Sequence, residues 1–464
     1  MKKSFLLSST LGLLLASCTL APKYERPAPP VSGSFPLAGD QTNQASAADV
    51  PWSLFFDDPR LERLLELSLQ NNRDLRVAAL RVEQTRAQYR IQRAALFPSL
   101  DLGASGTRQR TPETVSLTGD ARTATTYDVS VGAAYELDLF GRVRSLKEEA
   151  LQRYFATAAT RQAAEIALVS EVAVQYLTIL QMQEAKALAE QTRDAVQTSF
   201  NLNQRSFQAG VASELDLTTA QAQLEAAQVN VATYEQLLSQ AENALVLLVG
   251  QPIPADLPPG RPLNEQRLLN DLAVGLPSDL LQRRPDIVAA EHVLRAANAN
   301  IGAARAAFFP RILLTGSAGT MSASLSDLFT GASRAWSFAP QISVPLFQGG
   351  RNRANLDVAQ LQKQIEVATY ERAIQVAFRE VADALAVRAF VDAQLEAQRR
   401  LVQAQQRRFD LTNARYRQGV DSYLAVLLAQ QDLYAAQQNL IQFQAARLQN
   451  VVTLYRSLGG GWKS

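Results

Sequence analysis

The sequence predicts a mixed α/β membrane protein in which four β-strands and several very long α-helices are laid out twice along one chain. Three observations predict it. Most of the chain is an internal repeat, two long runs contain neither proline nor glycine, and four segments alternate in polarity.

The N-terminus reads MKKSFLLSSTLGLLLASC, with a basic start at Lys2-Lys3 and an apolar stretch from Phe5 to Leu15. This is a secretory leader over 1–17, too short to span a bilayer. Leu15-Ala16-Ser17-Cys18 resembles the bacterial lipoprotein box. That resemblance makes Cys18 the acylated first residue of the mature chain. Thr19 stands where an aspartate would mark inner-membrane retention, so delivery to the outer membrane is expected. A lipidated tether over 18–56 follows, with its Pro-rich part from Ala21 to Pro36.

The repeat is explicit. Asp74-Leu75 and Ala94-Ala95-Leu96-Phe97-Pro98 return as Asp286-Ile287 and Ala306-Ala307-Phe308-Phe309-Pro310, 212 positions later. From Gly141 onward the offset is 209, and it carries Gly210-Val211 onto Gly419-Val420 and Gly250 onto Gly459. The first repeat is placed at 57–250: a helix, a hairpin at about 99–140, a long helix over 142–209 and a return helix over 213–250. A joint at 251–277 holds Pro252, Pro254, Pro258, Pro259 and Pro262. The second repeat, 278–464, has a helix over 278–308, a hairpin at about 310–347, a long helix over 351–418, a return helix over 422–457 and a tail.

The runs Arg142 to Ala209 and Arg351 to Gln418 are rich in Ala, Gln, Leu, Glu and Arg, all strong helix formers. At 1.5 Å per residue each reaches roughly 100 Å, which implies coiled-coil packing along a seam. Ile166, Val169, Ala173, Tyr176, Ile179 and Leu180 keep one apolar stripe. From Tyr127 to Leu139 every odd position is apolar or aromatic, and the even positions are Asp, Ser, Gly, Ala, Glu and Asp. Trp336, Phe338, Ile342, Val344 and Leu346 repeat the device, with shorter partners around 100–107 and 312–320. Such segments suit tilted membrane strands with a polar interior. Polarity puts Asp128, Glu136 and Asp138 toward the lumen, where they favour cations modestly.

Four strands cannot close a barrel, and open edges cannot face lipid. Two copies give eight strands and a filled interior; three give twelve and room for a channel. Three is preferred and four stays open.

Composition narrows the function. The formal charge is +2, and Lys2 and Lys3 fall in the leader, so the mature chain is near neutral and no nucleic-acid partner is expected. One cysteine and one histidine leave almost no material for a zinc site, a disulfide framework or a Ser-His-Asp triad. No enzyme activity, metal or cofactor is expected. His292 reads as a packed helix residue, and Glu148-Glu149 as a solvated face.

Leu280-Leu281-Gln282-Arg283-Arg284-Pro285-Asp286-Ile287 is similar to an L-x-x-R-P-D signature. With Tyr135 to Arg142 and the ending Leu458-Gly459-Gly460-Gly461-Trp462, the mature chain resembles outer-membrane factors of the TolC/OprM type, in their lipoprotein branch. The resemblance implies a homotrimer with a twelve-stranded β-barrel in the outer membrane, continued by a long periplasmic α-helical barrel. It further implies an exit duct of a tripartite multidrug efflux pump, tied to antibiotic resistance. Its partners would be a periplasmic adaptor and an inner-membrane transporter, of the RND type. A type I protein-secretion duct is the alternative within this architecture; a structural coiled-coil envelope lipoprotein is the alternative outside it.

Gly210 and Gly419 are read as C-cap glycines, with Ser213 and Ser422 as N-caps of the return helices and Asp216 three residues beyond Ser213. By resemblance Gly210, Val211, Ser213, Gly419, Val420 and Ser422 form tips that touch the adaptor. The aperture is assigned to Tyr423, Leu424, Leu428 and Asp216. An acid that the family often carries nine residues past the glycine is here Leu428, and its counterpart in the first half is Thr219. Gating by an apolar Leu424/Leu428 constriction is therefore expected, rather than by an anionic ring.

Overall fold

The computed structural model describes residues 19–37, 49–116, 119–269 and 277–460. The acylation candidate Cys18, the leader and Trp462 lie outside the described residues. In chain order the elements are α1 (Trp52–Phe55), α2 (Pro59–Asn71), α3 (Arg73–Ala94), β1 (Ser99–Thr111), β2 (Arg122–Leu137), α4 (Arg142–Gln208) and α5 (Glu214–Val249). The second half adds α6 (Pro277–Arg283), α7 (Pro285–Ala306), β3 (Arg311–Ser322), β4 (Arg334–Ser343), α8 (Arg351–Arg417) and α9 (Tyr423–Ser457). The chain divides into two compact units. One comprises Arg81–Thr157, Ala289–Tyr370 and the described part of Met1–Ala28; the other comprises Pro29–Leu80, Ala158–Val288 and Glu371–Ser464.

The first unit carries the sheet. Its strands run antiparallel in the order β1-β2-β3-β4, so β1 and β4 are its edges. The register aligns Leu100 with Ala133 and Leu102 with Val131, then Val131 with Ala318, and Ala318 with Trp336. Because side chains alternate faces along each strand, every such alignment adds an apolar residue to the same side. Phe338 stands opposite Gly316 and Ile342 opposite Ile312 on that side.

In the same unit, residues 19–28 form neither helix nor strand, yet they do not behave as a loose tether. Asn298 donates to the Pro22 carbonyl at 2.8 Å and Arg305 to that of Leu20 at 3.1 Å. Arg26 grips Glu291 with two hydrogen bonds of 3.0 and 2.7 Å, Arg295 adds one of 2.7 Å, and the Tyr24 hydroxyl donates at 3.2 Å. Gly302 makes the close approach possible, since a Cβ there would lie 2.8 Å from the Ala21 nitrogen. The irregular backbone sends its polar groups to α7 side chains instead of to a ladder.

The second unit is held by helix seams and two polar hubs. Ile166, Val169, Ala173, Tyr176 and Ile179 are buried as one stripe of α4, with Leu180 at its border. Asp58 caps α2 through the amides of Arg60 and Leu61. Its other oxygen accepts from Tyr176, from the Arg261 amide and from Gln266. The Pro-rich joint is thereby fixed to α4 by a buried carboxylate with all its partners met. The second hub is Arg284 of the Arg-Pro-Asp motif, 9% exposed. It pairs with Asp286 at 2.6 Å and Glu380 at 2.8 Å, and donates to the Ser457 carbonyl at 3.0 Å. The motif is therefore a clasp for the end of α9.

Candidate functional site

Two places in the fold present residues that a folded core does not need. The first is the sheet. Its apolar side is exposed, with Leu102 at 77% and Trp336 at 81%. A continuous face of this kind marks contact with lipid or protein. The opposite side carries Asp101, Ser105, Asp128, Ser130, Glu136, Ser317, Ser337 and Gln341, and all three acids of the four strands lie there.

The acids chosen from sequence differ in standing. Asp128 is on the polar side and accepts from the Ser130 hydroxyl at 2.9 Å. Glu136 shares that side but is neutralised, bound by Arg142 at 2.8 Å through two nitrogens and by Arg311 at 2.6 Å. Asp138 is not on a strand at all, because β2 ends at Leu137. Its carboxylate accepts the amides of Val143 at 3.0 Å and Arg144 at 2.9 Å, capping the first turn of α4. The alternation in sequence ran past the strand's end because a helix-capping Asp fits the same period. Asp101, opposite Gly132, joins Asp128 on the polar side and was overlooked, since β1 is short of apolar residues and reads weakly as a strand.

The second place is the pair of turns between long and return helices. Gly210 has φ +77 and Gly419 has φ +74. In both, the following valine closes a six-residue ring: Val211 donates to the Ser206 carbonyl at 2.9 Å and Val420 to that of Arg415 at 3.0 Å. This is a Schellman ending, and the left-handed backbone is why glycine is required. Val211 and Val420 stand exposed beyond it. Ser213 and Asp216 form a reciprocal capping box: the Asp216 amide donates to Ser213 Oγ, and the Ser213 amide to the Asp216 carboxylate, each at 3.1 Å.

Ser422 occupies the N-cap position of α9 without a side-chain cap. That turn is held instead by Arg415, which binds Asp421 at 2.7 and 2.9 Å. Hydrogen bonding from Arg415 holds the Asp421 carboxyl below its usual range. This clasp reaches across a glycine turn, so helical i,i+4 spacing gave no hint of it.

On α9, Tyr423 is buried, and burial pushes its hydroxyl up. Its ring lies 5.7 Å from that of Tyr416. Leu424 and Leu428 point away from the chain's own core, 57% and 48% exposed. The Asp216 carboxylate is committed to its capping box.

His292 is packed beside Phe155 and hydrogen-bonds Gln152 through Nδ1 at 2.7 Å. Burial, and then Arg295, hold its imidazole below the usual value. Among the described residues, no group of three or more His, Cys, Asp or Glu is placed to hold a metal ion.

The outer membrane efflux protein family matches residues 64–251 and 276–460, one segment for each repeat. The chain belongs to that family. It is 47% identical to the probable efflux pump outer membrane protein TtgC of Pseudomonas putida, covering 100% of this chain and 96% of that protein. It is 46% identical to outer membrane protein OprJ of Pseudomonas aeruginosa, covering 99% and 97%. The crystal structure of the open state of the MtrE outer membrane channel of Neisseria gonorrhoeae superposes with a TM-score of 0.86. Identity to it is 42%, over 96% of this chain and 99% of that one. The resemblance found in the Arg-Pro-Asp and Leu-Phe-Gly-Arg motifs thus extends over the chain. This efflux protein is an outer-membrane channel subunit.

Proposed function

We propose that this outer-membrane efflux protein is the passive exit duct of a tripartite multidrug pump, assembled as a homotrimer. One observation carries the proposal. The sheet has one apolar face, one polar face and two free edges, β1 and β4. Lipid admits no open edge. Joining β4 of one copy to β1 of the next keeps the antiparallel order, and three copies give twelve strands around a polar lumen.

The rest follows from that duct. The turns at Gly210 and Gly419, with exposed Val211 and Val420 and the caps Ser213 and Ser422, are the tips that meet a periplasmic adaptor. The adaptor in turn links the duct to an inner-membrane transporter of the RND type. Leu424 and Leu428, turned away from their own chain, narrow the aperture with Tyr423 packed behind them, and Asp216 stiffens the neighbouring turn. Acylation at Cys18 adds a lipid anchor to the strands' own hold on the membrane. The names of relatives, an antibiotic efflux pump and a solvent efflux pump among them, favour small apolar molecules over secreted proteins.

The test is a deletion in the host with adaptor and transporter intact. Cells lacking the duct should accumulate a fluorescent apolar dye several-fold above wild type, and a plasmid copy should restore efflux. Unchanged accumulation, together with loss of a secreted protein, would move the assignment to the secretion duct.

A further inference from the structure

The apolar side of the sheet is bounded at its far end by arginine. Counting along β2 from Leu137 to Tyr127, the lipid-facing side spans ten residue-to-residue steps, roughly 33 Å of strand. At the usual tilt of about 40° this is a band about 25 Å tall, the height expected of a barrel's apolar belt. Tyr135 and Tyr127 lie near its two borders, as interfacial aromatics do. Two residues past the level of Tyr127, on the same side, stand Arg108, opposite Thr125, and then Arg110, opposite Thr123. At the other edge of the sheet, Arg334 faces Thr320 on this side, within reach of the border for a side chain of its length.

All three arginines are exposed, and among the described residues none takes part in an ion pair. No carboxylate shares their side of the sheet, since Asp101, Asp128 and Glu136 are all on the other. The four helix ends meet the sheet at its opposite end, so the arginines lie at the hairpin end, farthest from the helices.

Arg108 and Arg110 lie on edge strand β1, and Arg334 on edge strand β4. Barrel closure, on which this inference rests, sets β1 of one copy beside β4 of the next, about 4.8 Å away. Three guanidinium groups then gather at each seam, none of them ion-paired and with every strand carboxylate on the other side of the sheet, and like charges on neighbouring strands repel. A bound anion relieves that repulsion, and the place faces lipid at headgroup level.

We propose that Arg108 and Arg110 of one copy and Arg334 of its neighbour bind the phosphate of a lipid in the distal leaflet, one site per seam. Guanidinium groups fit phosphate with paired hydrogen bonds, and the acyl chains lie on Leu102, Trp336 and Phe338 below. The bound lipid closes the seam from outside.

The test uses the purified assembled protein in detergent, read by native mass spectrometry and by conductance in a planar bilayer. Wild type should retain lipid A carrying its two phosphates at least tenfold better than the dephosphorylated lipid. R108Q/R110Q/R334Q should lower that preference to within about twofold while still conducting, and R108K/R110K/R334K should keep most of it. Equal retention of both lipids by wild type, an undiminished preference in the glutamine variant, or capture of inorganic phosphate in place of lipid A would overturn the proposal. Conductance without lipid preference removes this inference alone. Silence of the wild-type protein in the bilayer removes the duct as well.

Discussion

Glu291→Gln should release the N-terminal strap from α7. Glu291 has a side chain only 6% exposed, and it holds Arg26 and Arg295 at 2.7 Å each. Removing one partner of a fully buried pair costs about 3–5 kcal/mol. Here both arginines are partly open to water, 40% and 37% exposed, so screening reduces the figure to about 2 kcal/mol. Each 1.4 kcal/mol is tenfold, so the undocked population of residues 20–26 rises about 30-fold. Hydrogen exchange read by mass spectrometry should show amides of this segment exchanging about 30-fold faster, with β2 and α8 unchanged. Trypsin should also cleave sooner after Lys23, whose next residue is Tyr24. An exchange rate within about threefold of wild type, in a protein of native size, would refute the account of the strap.

The same carboxylate fixes a pH dependence. Burial alone would raise Glu291, but the Arg26 and Arg295 hydrogen bonds prevail and hold it below the ordinary value, so the docked form binds fewer protons. Strap protection should be complete above about pH 4.3 and fall as pH drops through the lowered value, whereas Glu291→Gln should show no such loss. Gly250→Ala and Gly210→Ala separate two reasons for glycine. Both have left-handed backbones, but only at Gly250 would a Cβ meet the Asn71 carbonyl oxygen, at 2.4 Å. Thermal unfolding should show a loss of about 1–2 kcal/mol at Gly210 and about 2–4 kcal/mol at Gly250. Leu424→Ser with Leu428→Ser should raise single-channel conductance; a conductance unchanged from wild type would remove the apolar constriction.

The fold class was legible because its elements are long and unambiguous. Sixty-seven residues of good helix formers in α4 admit no other reading, and cross-strand register turned the alternation of β2 into one lipid face. Strand ends were less legible, as Asp138 shows: alternation continues into a cap, because Asp suits both a polar strand position and a helix start. Contacts far apart in sequence were not legible at all. Nothing in Arg26 announces Glu291, 265 residues away, nor does Arg284 announce the Ser457 carbonyl. The tips lay between, since glycine with a following serine marks a turn but not the Arg415–Asp421 clasp that holds it.

The central claim is that copies of this chain close a water-filled pore. Adding the purified wild-type protein and its Leu424→Ser/Leu428→Ser variant to planar bilayers tests it most directly. Discrete, long-lived conductance steps are predicted for both, larger in the variant. Bilayers that stay silent with both proteins inserted would contradict the account.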